Sequence, residues 1–415
     1  MSYLRQRFSL FKQPSVLLHV VSCFLATTGA GMSFICMGWL VVSAYEEVSA
    51  MAWLLSCFWL PQIIFAPLVG AVVDRYSRRK VIILSNLVRV FALLIIAAIY
   101  SYQESIASIY ILALCIGFVF AFYGPAALAF VRDIVQPGDL LYANSTVDMA
   151  YEVGFLVGIT SGGIILSYLT PVWTFVINAI CFLAASALTY AIVATEAHLQ
   201  QVKKIDHLWQ RFCTDTMDGL RYLRRNRHLF FLYNVQMAMY SVLLTSPILL
   251  TPFAKLVLNT SALGLSYIEG AYSIGVILGS FVVPYWVNKW GMRKVMIVGC
   301  LVMSATLFVF ALNSLLWLAC LLYLLLGVVL STWAVITTAV QQATDPVFQG
   351  RLQTTFNAMA SAIILGVYFF TGLISEFVTV RATYGVLILL ALCTLYFVWR
   401  APFAQAEKTD IISNK

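Results

Sequence analysis

The thirteen residues "GAVVDRYSRRKVI", numbers 70 to 82, separate two apolar runs that are each long enough to cross a bilayer as a helix. Five of the thirteen are charged, namely Asp74, Arg75, Arg78, Arg79 and Lys80. A short turn rich in cations is typical of a loop on the cytoplasmic side of a membrane. Membrane topology alone does not require the aspartate, so Asp74 indicates a second role.

The composition of the chain is that of a membrane protein. Of its 415 residues, 62% are hydrophobic and 10% are charged, against about 25% charged in soluble domains. A soluble protein of this length could not hide so much apolar surface, so lipid must be the solvent for most of it. The net charge of +8 would suggest nucleic acid in a soluble protein. Here we expect no nucleic-acid partner, and the placement of the cations matters more.

Twelve membrane spans follow from the rule that about twenty apolar residues cross a bilayer. They form two groups of six on either side of a polar stretch, so the predicted fold is all-α, with six-helix bundles at 1–194 and 229–415 and a cytoplasmic linker at 195–228. The predicted spans are about 17–44, 48–73, 80–102, 106–131, 143–168, 171–194, 229–254, 263–288, 293–313, 315–342, 351–376 and 380–400.

The distribution of cations predicts the orientation. An even number of spans puts both termini on one side of the membrane. If that side is the cytoplasm, the outside loops hold only Lys255 and Arg381, and nearly all other cations lie inside. The excess of Lys and Arg in cytoplasmic loops therefore predicts cytoplasmic termini. Within the linker, apolar residues recur at helical spacing between basic ones, which favours an amphipathic helix on the cytoplasmic leaflet; the alternative is a solvated basic linker.

Cysteine and histidine usage gives no sign of a metal site or cofactor. Eight of the nine cysteines lie in apolar runs, Cys213 lies in a polar loop, and no CxxC occurs. We expect them to act as small core residues. The four histidines form no HExxH motif. No cleavage site follows the first apolar run, which we expect to be a retained helix.

An internal repeat relates the two halves. Shifted by 214 residues, the opening stretch falls on "PYWVNKWGMRKVM" at 284–296, so that Asp74 meets Asn288 and Arg79 meets Arg293. Both copies join the second and third spans of their half. Six spans repeated in this way are typical of secondary transporters.

The opening stretch resembles the loop 2–3 signature of the major facilitator superfamily, G-x-x-x-D-R-x-G-R-[RK]. Gly70, Asp74, Arg75, Arg78 and Arg79 match, while Ser77 replaces the second glycine. The resemblance covers nearly the whole chain. It implies transport by alternating access, with these five residues acting as a gate or latch and not as cargo ligands.

Further matches resemble the drug–proton antiporter branch that includes macrolide and enterobactin exporters. They are "AFYGPAALAFVRDIV", "DGLRYLRRNRHLFFL" and "DPVFQGRLQTTFNAM". The fifth span carries "VGFLVGITSGG", which resembles the antiporter motif G-x-x-x-G-P-x-x-G-G with Ile159 in place of proline. Gly154, Gly158, Gly162 and Gly163 match it, and they imply a close helix contact that favours export; plain helix packing is the alternative.

Ionisable groups within the spans are candidates for proton coupling, because a charge at bilayer depth is costly. Asp148 and Glu152 lie one turn apart on the fifth span, Arg89 lies on the third and Glu269 on the eighth. Coupling needs a carboxylate that gains and loses a proton between the two faces, and Glu152 is the preferred candidate. A structural pairing of Arg89 with either helix-5 acid is the alternative. The family's helix-4 arginine corresponds to Ile116 here, and Arg89 is the obvious substitute.

The resemblance implies a central cavity lined by aromatic residues with few polar groups, which suits amphipathic cargo better than sugars. The candidates for the substrate cavity are Trp39, Trp59, Gln62, Tyr123, Tyr151, Gln236, Tyr240, Trp333 and Asn357. We therefore expect a monomeric transporter, not an enzyme, in the bacterial cytoplasmic (inner) membrane. It would export a drug or siderophore by proton antiport, in contact with membrane lipid; the alternative is an importer or flippase of a lysophospholipid or other nutrient.

Overall fold

A computed structural model describes residues 13–136, 139–194, 208–345, 348–375 and 377–400. These residues form α-helices and contain no strand. In chain order the helices are α1 (Pro14–Tyr45), α2 (Val48–Arg75), α3 (Arg78–Tyr102), α4 (Ile106–Ile134), α5 (Leu140–Tyr168), α6 (Pro171–Ala191), α7 (Leu208–Arg225), α8 (Arg227–Leu256), α9 (Ala262–Trp290), α10 (Met292–Leu312), α11 (Leu316–Leu330), α12 (Thr332–Ala343), α13 (Gln349–Ser375) and α14 (Val380–Arg400).

Twelve segments of the described chain are long and apolar enough to cross a membrane, with α11 and α12 together forming the tenth. The predicted twelve-span fold is thereby confirmed. The helices begin and end close to the predicted limits because the apolar runs end where charged or turn-forming residues begin. The remaining helix, α7, lies in the predicted linker; residues 195–207 of that linker are outside the described part.

The tenth span differs from its prediction as one straight helix. It is interrupted at Ser331, between α11 and α12. The hydroxyl of Ser331 donates to the carbonyl of Val328 at 2.7 Å, and the hydroxyl of Thr332 donates to that of Val329 at 2.6 Å. Such bonds from a side chain to its own helix bend the backbone, which explains the break.

The chain divides into two compact units. The first comprises residues 1–45, 54–208 and 261–266, and the second comprises 46–53, 209–260 and 267–415. The short segments 46–53 and 261–266 therefore group with the unit formed mainly by the other half of the sequence. The amphipathic helix α7 belongs to the second unit, where Tyr222 stacks on Phe348 with ring centroids 4.3 Å apart.

Glycine contacts repeat between the units. A Cβ on Gly117 of α4 would collide with the backbone of Phe58 on α2, and one on Gly327 of α11 would collide with that of Tyr272 on α9. Shifts of 210 and 214 residues relate these two pairs. Each unit therefore brings its second and fourth spans to backbone contact at the same place, which supports the predicted repeat.

Candidate functional sites

The charged turn between α2 and α3 is tied to α4. The guanidinium of Arg78 lies 2.9 Å from the carboxylate of Asp133 and donates to the carbonyl of Ala129 at 3.2 Å. The two charged side chains are only 12% and 7% exposed. A charge pair shielded to this degree depends on both partners, because either one alone would be a buried charge. Asp133 was missed as a gate residue; it lies in the quoted helix-4 motif, but its distance of 55 residues from Arg78 hid the pairing.

The same turn is also tied to α6. Arg79 donates to the carbonyl of Tyr190, and its guanidinium carbon lies 5.2 Å from the centre of that ring. In the second unit, Arg293 donates to the carbonyl of Trp399 at 3.1 Å. Arg79 and Arg293 are repeat partners, and so are Tyr190 and Trp399 by a shift of 209. We call this repeated contact the arginine clasp; it fixes the start of the third span to the end of the sixth.

The other predicted latch residues are less completely described. Arg75 is exposed at the end of α2. The side chains of Gly70 and Asp74 lie outside the described residues. The role of Asp74 as a gate charge therefore stays a prediction.

The glycines of α5 face two different neighbours. A Cβ on Gly154 would meet Thr27 and Phe24 of α1, and one on Gly158 would meet the backbone of Thr28. Gly162 faces Met32 of the same helix. Gly163 instead faces Ser266, in the first turn of α9 that belongs to the first unit. Three of the four glycines thus allow close packing of α1 on α5, and one is placed at a separate contact.

Three of the predicted cavity residues come together in the second unit. The rings of Tyr240 on α8 and Trp333 on α12 lie 5.1 Å apart, and Phe356 on α13 lies 5.4 Å and 5.9 Å from them. Tyr240 and Trp333 are half-buried. One turn below, Gln236 donates to the hydroxyl of Thr337 at 3.2 Å. We call Tyr240, Trp333 and Phe356 the aromatic box.

Phe356 was missed from the sequence, although it immediately precedes the predicted Asn357. Nothing in the local pattern distinguishes the two positions. The structure does so, because Phe356 is buried in the box while Asn357 is exposed. Helix geometry alone sets adjacent residues about 100° apart around the axis.

The remaining cavity candidates are scattered over the first unit. Trp39 and Trp59 are half-buried, and Trp59 packs edge-on against Phe58. The amide of Gln62 donates to the carbonyl of Phe58 at 3.2 Å, so its polar group is used by its own helix. Tyr123 is fully buried and Tyr151 is half-buried.

Arg89 is buried in a cage of aromatic rings. It is 2% exposed, and its guanidinium carbon lies 4.5 Å from the ring centre of Tyr123 and 5.0 Å from that of Phe182. Within the described residues it has no carboxylate partner, and its polar contact is with the amide oxygen of Asn86 at 3.4 Å. The suggested pairing of Arg89 with Asp148 or Glu152 is therefore not found. Contact with aromatic faces replaces it, each worth about 2 kcal/mol when desolvated.

The three acids proposed for coupling differ in exposure. Asp148 and Glu152 lie one turn apart on α5, and both side chains are exposed in the first unit. Glu269 on α9 is only 8% exposed. Sequence position had suggested Glu152 as the deepest of the helix-5 acids and Glu269 as close to outer water; the structure makes Glu269 the buried one. Within the described part of the chain, no group of three or more His, Cys, Asp or Glu side chains is placed to hold a metal ion.

Twelve apolar helices, a repeat of six spans and an arginine clasp in each half define a multi-pass membrane transporter of the major facilitator class. Residues 7–415 match the family described as transmembrane secretion effectors. The chain belongs to that family, within the major facilitator superfamily.

Relatives of known sequence are named as drug exporters. The chain is 24% identical to the multidrug efflux pump Tap of Mycolicibacterium fortuitum, covering 85% of this chain and 87% of that protein. It is 29% identical to multidrug resistance protein 2 of Bacillus subtilis, over 43% of this chain and 44% of that protein. It is 25% identical to macrolide efflux protein A of Streptococcus pyogenes, over 58% of each. The first two-fifths to three-fifths alignments thus span only part of the relatives concerned.

Solved structures share the fold. The nucleoside transporter NupG aligns with a TM-score of 0.70 at 15% identity, over 92% of this chain and 98% of that chain. A D-xylose–proton symporter aligns with a TM-score of 0.71 at 13% identity, over 94% and 97%. Similarity at this level shows the fold alone.

Proposed function

We propose that the protein exports amphipathic small molecules, such as drugs or siderophores, from the cytoplasm in exchange for protons. The aromatic box carries this proposal. Tyr240 and Trp333 offer half-buried ring faces, and the amide of Gln236 is already bound to Thr337. A wall with large rings and few free hydrogen-bonding groups suits apolar and aromatic cargo. The drug-exporter names of the relatives support export over import.

The proposed orientation places both termini in the cytoplasm of a bacterial cell, with the charged turn at 76–80 inside. The cation distribution supports it. A cysteine replacing Tyr76, which is 62% exposed, should react with an impermeant thiol reagent only from the cytoplasmic side. A cysteine replacing Asn259, exposed in the turn before α9, should react only from outside. The opposite labelling pattern would overturn the orientation.

Export is tested by accumulation of an amphipathic fluorescent dye in cells that lack their own exporters. Cells producing the protein should retain less dye than cells producing a Trp333→Ala variant, because that change removes one ring of the box. Leu315→Ala is a matched control, since Leu315 is an exposed apolar residue of the same span. Greater dye accumulation with the wild-type protein would instead support the import alternative.

Glu152 is the proposed proton-exchanging group. It is exposed and one turn from Asp148, so it can reach water, and the neighbouring negative charge favours uptake of a proton. Glu152→Gln should abolish transport driven by a pH gradient in inverted vesicles while cargo binding persists. Asp148→Asn is the matched control and should retain part of the activity. Gradient-driven uptake at the normal rate by Glu152→Gln would remove Glu152 from the mechanism.

A further inference from the structure

Glu269 is a buried acid without a counter-charge in the second unit. It lies about two turns into α9 and is 8% exposed. Among the described residues, no cation lies within ion-pair distance of its carboxylate and no hydrogen bond holds it. An unpaired carboxylate inside a membrane protein is costly and is a functional group by default.

The cations nearest the same end of the second unit are engaged elsewhere. Arg381 donates to the carbonyl of Ala311 at 2.9 Å and to the hydroxyl of Ser314 at 2.7 Å. Lys255 lies 4.0 Å from the carboxylate of Glu46. Neither is available to neutralise Glu269 without giving up these contacts.

Tyrosines surround Glu269 without satisfying it. Its carboxylate interacts electrostatically with the hydroxyls of Tyr323 and Tyr384. Those hydroxyls bond to each other at 3.2 Å, and that of Tyr323 also bonds to the hydroxyl of Ser246 at 3.1 Å. The row of hydroxyls is thus closed on itself, and its members place ring faces beside the acid.

The carboxylate also remains open to solvent. Its oxygens are not among the described side-chain atoms that are sealed from solvent without a hydrogen-bond partner, although they have no partner. A small open face, one negative charge and neighbouring aromatic rings are together the chemistry that binds an organic cation.

We propose that Glu269 binds the positive charge of the cargo, which is an ammonium or phosphonium group attached to an apolar body. The inference rests on the proposed function, since it assigns a charge to the amphipathic molecule that the protein exports. It separates two tasks between two acids: Glu269 holds the cationic group of the cargo, and Glu152 exchanges the proton.

The test compares two probes of similar shape and different charge. Tetraphenylphosphonium is a permanent cation, and triphenylphosphine oxide is a neutral relative. Binding of each is measured by calorimetry on the full-length protein in lipid nanodiscs. We expect Glu269→Gln to weaken binding of the cation by at least about tenfold, equivalent to about 1.4 kcal/mol, and to leave binding of the neutral probe unchanged. Glu104→Gln, which changes an exposed acid in the turn before α4, should alter neither.

Each other outcome contradicts the inference in a recognisable way. Equal weakening of both probes would mean that Glu269 is structural. Unchanged cation binding, together with loss of pH-driven transport, would mean that Glu269 carries the proton. If the wild-type protein bound neither probe and exported no dye, the proposed function itself would fail.

A second variant guards against misfolding of Glu269→Gln. Glu269→Asp keeps the charge and shortens the side chain by one methylene, so it should keep the preference for the cation over the neutral probe. Tyr323→Phe removes one hydroxyl and leaves the charge and the ring, and it should do the same. Loss of the preference in both variants would overturn the inference.

Discussion

The turn between α2 and α3 and the turn between α9 and α10 occupy equivalent places in the repeat, yet they are built differently. Ser77 begins α3 with φ of −55°, and its hydroxyl accepts a hydrogen bond from the backbone of Lys80 at 3.2 Å. Gly291, its repeat partner, begins α10 with φ of 80° and no side-chain cap. Ser77, which departs from the family signature, is therefore explained by a capping role.

The ion pair shows the same divergence. Arg78 and Asp133 pair in the first unit, whereas Met292 and Ala343 stand at the corresponding positions of the second. The arginine clasp is retained in both. After duplication, the contact that ties the helices of one unit together was kept, and the buried charges were kept in one copy only. The comparison teaches that the first turn carries more than a structural role.

The largest expected effect concerns the acid of the first turn. Asp74→Asn copies the residue of the second turn, Asn288, and should reduce transport to background while the amount of protein stays unchanged, because it removes a proposed gate charge and no helix. The reciprocal change Asn288→Asp is the matched control and should be far milder. Transport by Asp74→Asn at the wild-type rate in reconstituted vesicles would contradict the gate role.

The next effect concerns the buried pair. Arg78→Met or Asp133→Ala alone leaves one charge unpaired and should lower the free energy of unfolding by about 3–5 kcal/mol. The double variant reproduces the second unit and should cost much less than the sum of the two. Thermal unfolding in detergent measures all three. Additive losses would show that the two side chains do not depend on each other.

The smallest effects concern the helix starts. Gly291→Ala should cost about 1–3 kcal/mol, because its backbone angles suit glycine alone. Ser77→Ala should cost about 1 kcal/mol through loss of the cap, and Ser77→Gly only a few tenths. The same unfolding assay ranks them. A tolerated alanine at position 291 would show that the turn can adopt the conformation seen at Ser77.

The spans could be predicted from the sequence because lipid demands about twenty apolar residues per helix, and few other features of this chain satisfy that demand. The repeat was visible because its cations recur at one spacing. Contacts between distant residues were not visible. The pairing of Arg78 with Asp133, the place of Phe356 in the aromatic box and the burial of Glu269 all depend on how helices turn toward one another.

The break at Ser331 also escaped prediction, since a serine within an apolar run only bends a helix when its hydroxyl turns back to the backbone. The helix-5 glycines illustrate the opposite limit. Their spacing predicted close contact correctly, and the sequence could not say that three face α1 and the fourth faces the start of α9.

The break at Ser331 has a mechanical consequence for the range of cargo. Trp333 lies just beyond it on α12, while α11 before it is packed on α9 through Gly327. One wall of the aromatic box is therefore mounted on a joint, and its base is anchored. We expect such a wall to tilt around molecules of different thickness without unpacking the helices behind it, so that one set of rings can serve chemically diverse compounds.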